Sequence, residues 1–312
     1  MISVVMATYN GSKYIREQLD SIYCQTLPPD EVIVVDDCST DDTCKILEEF
    51  KCNFGLKYFV NKKRLGVNGN FERGLELANG DYILISDQDD VWLPQKIEVE
   101  YNKIKEIENG EPACVSCQVK EVDKNLQPKN NKASILKESN YERALVFNSS
   151  QGCTLIINKA LKELVLPLNN YFIYDHFIGV YACFVGNRFV IDKPLMLYRH
   201  HGNNVLASSI VNYHPYISEG INLYYIMKCK ERLYLLEDLK KRYLSNINIE
   251  KQALLESTIS FFLFENDFGL IKNVFCSRLL HPLIKLYCIL YCVVTWFVPK
   301  RRGAAMSNPV TL

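Results

Sequence analysis

Tyr82-Ile83-Leu84-Ile85-Ser86-Asp87-Gln88-Asp89-Asp90-Val91-Trp92-Leu93-Pro94 places an apolar run directly before a cluster of carboxylates. So short an apolar run, closed by polar residues, is the pattern of a strand buried on both faces. The acids then stand at its carboxyl end, where open α/β sheets bind their ligands. Upstream, Phe71, Leu75 and Ala78 recur at helical spacing and end at Asn79-Gly80, and Leu56 to Val60 is another strand. Before it, Ser39-Thr40-Asp41 offers capping side chains to a helix with Ile46, Leu47 and Phe50 inward. Glu31 to Val35, a helix carrying Ile15, Leu19 and Ile22, and the strand Ser3 to Ala7 complete the series. This alternation predicts an α/β fold with a Rossmann-like, mostly parallel sheet and helices on both faces.

Downstream the pattern is less regular. Val115 to Val122 reads as a strand, and Asp123 to Lys132 as a polar loop. Thr154 to Ile157 and Arg188 to Ile191 read as further strands, with a helix from about Asp175 to Val185 between them. Beyond about residue 215 the pattern is helical throughout, which divides the chain into an α/β domain over 1–215 and a helical C-terminal region over 216–312. No stretch reaches the roughly 18 apolar residues of a spanning helix. Leu283 to Val298 carries Tyr287, Tyr291 and Trp296 and has cations at both ends. It reads either as a monotopic anchor in a membrane surface or as a buried helix or dimer contact.

Lys plus Arg and Asp plus Glu number 36 each, and a net charge of zero speaks against nucleic acid as a partner. The twelve cysteines are scattered, and Met1 to Val5 reads as a strand rather than a leader. Reduced thiols and a cytoplasmic location are therefore expected. Cys114 and Cys117 lie at i and i+3 of a strand and face opposite sides, which does not suit zinc. Gly66-Val67-Asn68-Gly69 lacks the spacing of a dinucleotide or P-loop motif, so neither NAD nor ATP is expected.

Asp36-Asp37 ends the second strand and Asp87-Gln88-Asp89-Asp90 the fourth, which puts both groups on one edge of a doubly wound sheet. Converging acids repel unless cations intervene. Mg²⁺ or Mn²⁺ with a bound diphosphate is the natural resolution, since these ions take carboxylate oxygens and leave positions open for phosphates. For Asp36-Asp37 taken alone, a solvated turn is an equal reading.

Ser3-Val4-Val5-Met6-Ala7-Thr8-Tyr9-Asn10, then Val34-Val35-Asp36-Asp37-Cys38-Ser39-Thr40-Asp41-Asp42-Thr43, then the acidic run, together resemble the family 2 glycosyltransferases, which have the GT-A fold. With Asn70-Phe71-Glu72 upstream and Tyr198-Arg199-His200-His201-Gly202-Asn203-Asn204 downstream, the pattern is similar to the rhamnosyltransferase-like branch of bacterial surface-polysaccharide biosynthesis. The resemblance implies an inverting, metal-dependent transfer of a sugar from a dTDP- or UDP-linked donor to a glycan or lipid-linked glycan. It also implies a site at the inner face of the plasma membrane.

By resemblance, Thr8, Tyr9 and Asn10 form the loop that holds the nucleoside, and Asp37 faces the base. Arg64 and Asn70 lie near the nucleotide or sugar. Asp87 approaches the ribose, Asp90 the donor sugar, and Asp89 binds the metal under the diphosphate. His201 closes the site over the diphosphate and can ligate the cation. On the residues alone, Gly152, just before a strand, reads equally as room for close approach of a sugar or as a simple strand start. A sugar hydroxyl needs a general base, and the resemblance gives that role to Asp175, at the start of a helix whose dipole favours a carboxylate. Two readings from other classes stand beside this one: a non-catalytic sugar-nucleotide-binding scaffold, and a Mg²⁺-binding phospho-receiver-like switch. The receiver pattern wants its acidic pair after the first strand, whereas here the pair follows the second.

Overall fold

The computed structural model describes residues 1–129, 151–168, 173–202 and 234–243, with a few helical positions between 251 and 259. The chain divides into two compact units, Met1–Ser208 and Ser209–Leu312.

In the first unit, β1 (Ile2–Thr8), α1 (Ile15–Tyr23), β2 (Glu31–Asp36), α2 (Thr43–Phe54), β3 (Lys57–Val60), α3 (Gly66–Leu77) and β4 (Tyr82–Ser86) alternate as expected. There follow β5 (Val91–Trp92), α4 (Lys96–Ile107), β6 (Ala113–Asp123), a 3₁₀ turn (Gly152–Thr154), β7 (Leu155–Asn158), α5 (Lys159–Val165), α6 (Tyr174–Val185) and β8 (Asn187–His200). The strands form one sheet in the order β3-β2-β1-β4-β7-β6-β8-β5. Strands β1 to β4 are mutually parallel, and β2 and β4 flank β1 on opposite sides. That reversal of strand order between β1 and β4 is where such sheets open a ligand crevice.

The sheet is mostly parallel, as expected, and in its second half β6 and β8 are parallel as well, with two antiparallel strands added. Strand β7 runs antiparallel to both β4 and β6, and β5 antiparallel to β8, so the whole is a mixed sheet. The pairing Tyr82 with Asn158, Ile83 with Ile157 and Leu84 with Ile156 fixes the register of β7. Continued past the end of β4, this register sets Cys153 opposite Asp87. In the same way Val91 pairs with Leu197 and Trp92 with Met196, which leads the β8 chain back to Arg199 opposite Asp89.

One core gathers Val4, Met6, Val32 and Val34 with Ile15, Leu19, Leu47, Phe50 and Ile97 from α1, α2 and α4. Val5 and Val35 point the other way, toward α3. Gly74 of that helix lies so close that a Cβ there would stand 2.5 Å from Val5 Cγ1. Trp92 is buried in the core and carries Lys96 Nζ 4.7 Å from its ring centroid. Cys117 belongs to the core cluster whereas Cys114, three residues earlier on β6, does not. In the second unit, the helix over 234–243 buries Leu235, Leu236 and Leu239. The segment 283–298 lies outside the described residues, and no described helix is long and apolar enough to cross a membrane.

The sheet edge opposite the acidic loops is fixed by Glu31, whose side chain is buried at the start of β2. Its carboxylate accepts Ser3 Oγ at 2.6 Å, Asn79 N at 2.7 Å and Lys57 Nζ at 2.9 Å. Burial opposes ionisation, but these donors prevail and bring its pKa from 4.5 down to about 2. A depressed carboxylate stabilises the fold above its unfolded-state pKa and loses that contribution as pH falls through the folded value. The shift corresponds to on the order of 3 kcal/mol. Glu31→Gln is therefore expected to lower unfolding free energy at neutral pH, and to flatten its decline between about pH 4.5 and 2 in denaturant titrations. An acid limb as steep in the variant as in the parent would contradict this role for Glu31.

Candidate active site

The loops that follow β1, β2 and β4 are bonded to one another. Thr8 Oγ1 donates to Gln88 Oε1 at 2.5 Å, and Tyr9 N donates to the same oxygen at 2.9 Å. Gln88 Nε2 returns a bond to the Tyr9 carbonyl. Gly11 is required beneath this latch, since a Cβ there would stand 2.2 Å from Gln88 Oε1. Asn10 adopts a left-handed turn (φ 49°), as asparagine tolerates. Its N–H donates to Ser39 Oγ and its Oδ1 accepts Thr40 N, both at 2.8 Å. Of the capping residues expected in Ser39-Thr40-Asp41, only Asp41 reaches α2, whose N-cap Asp42 makes no side-chain cap bond. The Asp41 carboxylate accepts Thr43 N at the start of α2, while Ser39 N donates to Asp36 Oδ2.

Asp37 is almost fully buried and grips the loop 61–66. Its Oδ1 accepts Asn61 Nδ2 at 2.8 Å and Leu65 N at 2.7 Å, and its Oδ2 accepts Gly66 N at 2.9 Å. Asn70, one turn into α3, accepts Asn61 Nδ2 and donates to the Val35 carbonyl, both at 2.9 Å. Arg64 is exposed, with Nε 3.8 Å from Asp37 Oδ2. Its guanidinium carbon stands 3.7 Å from the Tyr9 ring centroid, a cation–π contact at the crevice mouth.

The acidic run is anchored from β8. Arg199, fully buried, donates its backbone N–H to Asp90 Oδ1 at 3.0 Å and its Nε to the Asp89 carbonyl at 2.7 Å. Its remaining guanidinium nitrogens bond the Lys124 carbonyl and Glu17. Asp89 Oδ2 meets His201 Nε2 at 2.6 Å, and the imidazole stacks on Tyr14 at 5.0 Å. The second Asp90 oxygen is sealed from solvent without a well-formed hydrogen bond. The Cys153 thiol is its polar neighbour, lying against Asp87 as well.

Asp175 occupies the first turn of α6, where its Oδ2 accepts Gly152 N at 3.1 Å and its Oδ1 accepts His176 N at 2.6 Å. The start of this helix is held by Tyr174 N donating to Asn68 Oδ1 at 3.0 Å, and by the Tyr174 ring packing on Phe71 at 4.1 Å. Gly152 makes room for Tyr174: a Cβ at 152 would overlap the phenol oxygen, at 1.8 Å.

These placements have an electrostatic consequence. Burial, then the Asp89 and Asp175 charges, push Asp87 up to about 7. Burial, then Asp89 and Asp87, push Asp90 well above the usual carboxylate range. Such shifts mark a site that lacks positive charge. The residues fit a divalent cation: oxygen donors converge, one buried Asp90 oxygen has a weakly donating thiol beside it, and Asp87 is only half-buried.

The structure thus brings Asp87, Asp89, Asp90, Asp175, Gly152 and His201 to one edge, and Tyr9, Arg64 and Asp37 to its flank. Thr8, Asn10 and Asn70 support the loops. Sequence reasoning gave no role to Gln88, Arg199, Asn61 or Cys153. The first two sit inside quoted motifs, so their position was a usable signal. Asn61 and Cys153 become visible only through loop closure and strand register.

Known proteins resemble this chain in sequence and in fold. A dTDP-rhamnosyl transferase of Shigella flexneri is 33% identical over 223 residues, covering 66% of this chain and 74% of that protein. A glycosyltransferase of Rickettsia prowazekii with no assigned activity is 24% identical over 261 residues, 80% of this chain and 79% of its own. Among solved structures, Staphylococcus aureus TarS in complex with UDP-GlcNAc shares the fold, with a TM-score of 0.59 at 20% identity over 95% of this chain and 89% of that one. The sequence profile of glycosyl transferase family 2 matches residues 3–165, more than half of the 312. The chain belongs to glycosyl transferase family 2 and is a glycosyltransferase of the GT-A fold.

Proposed function

We propose that the protein catalyses inverting, cation-dependent transfer of a sugar from a nucleoside diphosphate donor to a growing surface glycan or lipid-linked glycan, with rhamnose from dTDP-rhamnose as the leading donor. The observation that carries this reading is the meeting of the acidic run at the end of β4 with Asp175, which α6 delivers to the same cluster. The rhamnose assignment draws on the similarity to the Shigella flexneri enzyme.

In this reading Thr8, Tyr9 and Asn10 line the nucleoside pocket, with Arg64 over the Tyr9 face, Asn70 behind the loop, and Asp37 ordering the loop beside the base. Asp87 and Asp90 border the ribose and donor sugar, and Gly152 admits the reacting sugar beside Asp175. Asp89 and His201, bonded to each other in the structure, turn toward the diphosphate and its cation. A divalent cation there withdraws charge from the departing diphosphate. Asp175 takes the proton of the acceptor hydroxyl as its oxygen attacks the anomeric carbon. The bond to the diphosphate oxygen breaks on the opposite face, and the configuration inverts.

Residues 1–215 form the catalytic domain in this proposal. The C-terminal region beyond them brings it as a peripheral protein to the cytoplasmic face of the membrane, where a lipid-linked acceptor would be found.

Two experiments test the reading. Calorimetric titration of dTDP and UDP is expected to show binding with Mn²⁺ or Mg²⁺, loss of binding with EDTA, and loss in Asp89→Ala. Absence of binding by either nucleotide under every condition would favour a different ligand for the acidic crevice. Asp175→Asn is expected to lower the turnover of sugar transfer by about 10²–10⁴-fold, while leaving nucleotide affinity within about two-fold. Unchanged transfer in that variant would remove Asp175 as the base.

A further inference from the structure

Tyr174 precedes Asp175 in the first turn of α6, and its side chain enters the same crevice. The residue is almost fully buried, its ring packs on Phe71 at 4.1 Å, and its N–H donates to Asn68 Oδ1 at 3.0 Å. The phenol oxygen stands over Gly152, where a Cβ would come within 1.8 Å of it. Gly152 N in turn donates to the Asp175 carboxylate at 3.1 Å, so phenol and carboxylate meet at one residue. The phenol O–H has no hydrogen-bond acceptor among the described residues.

This O–H is a donor in a place crowded with acceptors. Ionised carboxylates such as Asp87 and Asp175 only accept. The donors named above are already engaged: Gly152 N and His176 N by Asp175, Arg199 N by Asp90, and the Cys153 thiol by Asp87 and Asp90. A sugar hydroxyl both donates and accepts, so one that gives its proton to a carboxylate here still needs a donor for its own oxygen. Burial, then the Asp87 and Asp175 charges, push the phenol pKa well above its usual range, so the group keeps its proton at neutral pH.

We propose that the Tyr174 phenol donates a hydrogen bond to a hydroxyl of the donor sugar bound between Asp87 and Asp175, and so helps to set which sugars the site accepts. The inference rests on the reading that the crevice binds a sugar nucleotide.

Discrimination follows from how firmly the phenol is held. Phe71 lies against its ring, Asn68 fixes its backbone, and Gly152 lies beneath its oxygen. It cannot follow a hydroxyl placed elsewhere on the sugar. A sugar that lacks or inverts that hydroxyl would leave a buried donor unpaired and bind more weakly.

The test is calorimetric, on the full chain with Mn²⁺. It compares dTDP-rhamnose and UDP-glucose with bare dTDP and UDP, in the parent and in Tyr174→Phe. Phenylalanine keeps the ring against Phe71 and removes only the O–H. Loss of one neutral hydrogen bond is expected to weaken binding of the sugar nucleotide that the parent prefers by about three- to ten-fold. Affinity for the bare nucleotide should stay within about two-fold, which separates the sugar from the ribose and the diphosphate. The urea midpoint should be unchanged, since no hydrogen bond within the protein is removed.

Equal affinity of parent and variant for the sugar nucleotide would overturn the proposal. So would an equal loss for the bare nucleotide, which would put the phenol on the ribose or diphosphate. A variant that is markedly destabilised or does not fold would make the phenol structural and overturn it as well. Failure of the underlying reading looks different: the parent itself then binds none of the four ligands, and this inference falls with it.

Discussion

Repulsion among carboxylates at one sheet edge is the constraint around which the site is organised. Asp87 and Asp90 offer oxygens within 4.8 Å of each other, a separation at which two full charges repel by roughly 3 kcal/mol at an effective dielectric constant near 20. Asp89 and Asp175 add to the same field. Buried Arg199 does not neutralise it. Arg199 turns its guanidinium onto the carbonyls of Asp89 and Lys124 and onto Glu17, and gives Asp90 a backbone N–H. The arginine thus fixes the path of the acidic loop while leaving its charge uncompensated. A loop so held is preorganised for a ligand that brings positive charge with it.

The reversal of β7 brings the turn that precedes a strand, rather than the loop that follows one, to the acidic cluster. A parallel strand next to β4 would end at this edge, as β1 and β2 do. An antiparallel one begins here, so Gly152 and Cys153 arrive beside Asp87 at the start of β7. Gly152 then receives two constraints in one residue. Its N–H is needed by Asp175, and its missing side chain is needed by the Tyr174 phenol. An alanine would satisfy the first and violate the second, which makes glycine a packing requirement here rather than a source of flexibility.

Much of the parallel half was legible because its signals are local. Tyr82 to Ser86 is apolar at every position but the last, and the helical spacing of Ile15, Leu19 and Ile22 matches the buried face of α1. The second half depends on long-range pairing, which periodicity does not encode. The strand read from Arg188 to Ile191 is part of β8, which runs fourteen residues through Lys193-Pro194. Pro194 is accommodated by register shifts against Cys117-Gln118-Val119. Helix α4 hides its pattern because Lys96 and Glu100 are buried as an ion pair at 2.7 Å, so polar residues occupy the inward face. Asp87, Asp89, Asp90 and Asp175 could be named from sequence, because each ends a strand or begins a helix. The partners that hold Asp37 could not, because two of them are backbone amides.

Those amides connect the two halves of the site. Asp37 takes the N–H groups of Leu65 and Gly66 at the entrance to α3, and Asn70 in the next turn is bonded to Asn61 and to the Val35 carbonyl. Between them, Asn68 accepts the N–H of Tyr174, and Phe71 packs against the Tyr174 ring. The first turn of α3 therefore carries the loop beside Tyr9 at one end and braces the first turn of α6 along its side. Tyr174 is adjacent to Asp175, so the position of that carboxylate is set partly by the same turn that Asp37 anchors. The path consists of buried and part-buried hydrogen bonds and one aromatic contact. Geometry beside Tyr9 and geometry at Asp175 are consequently not independent in this fold: a sequence change that shifts residues 61–66 bears on the carboxylate through α3.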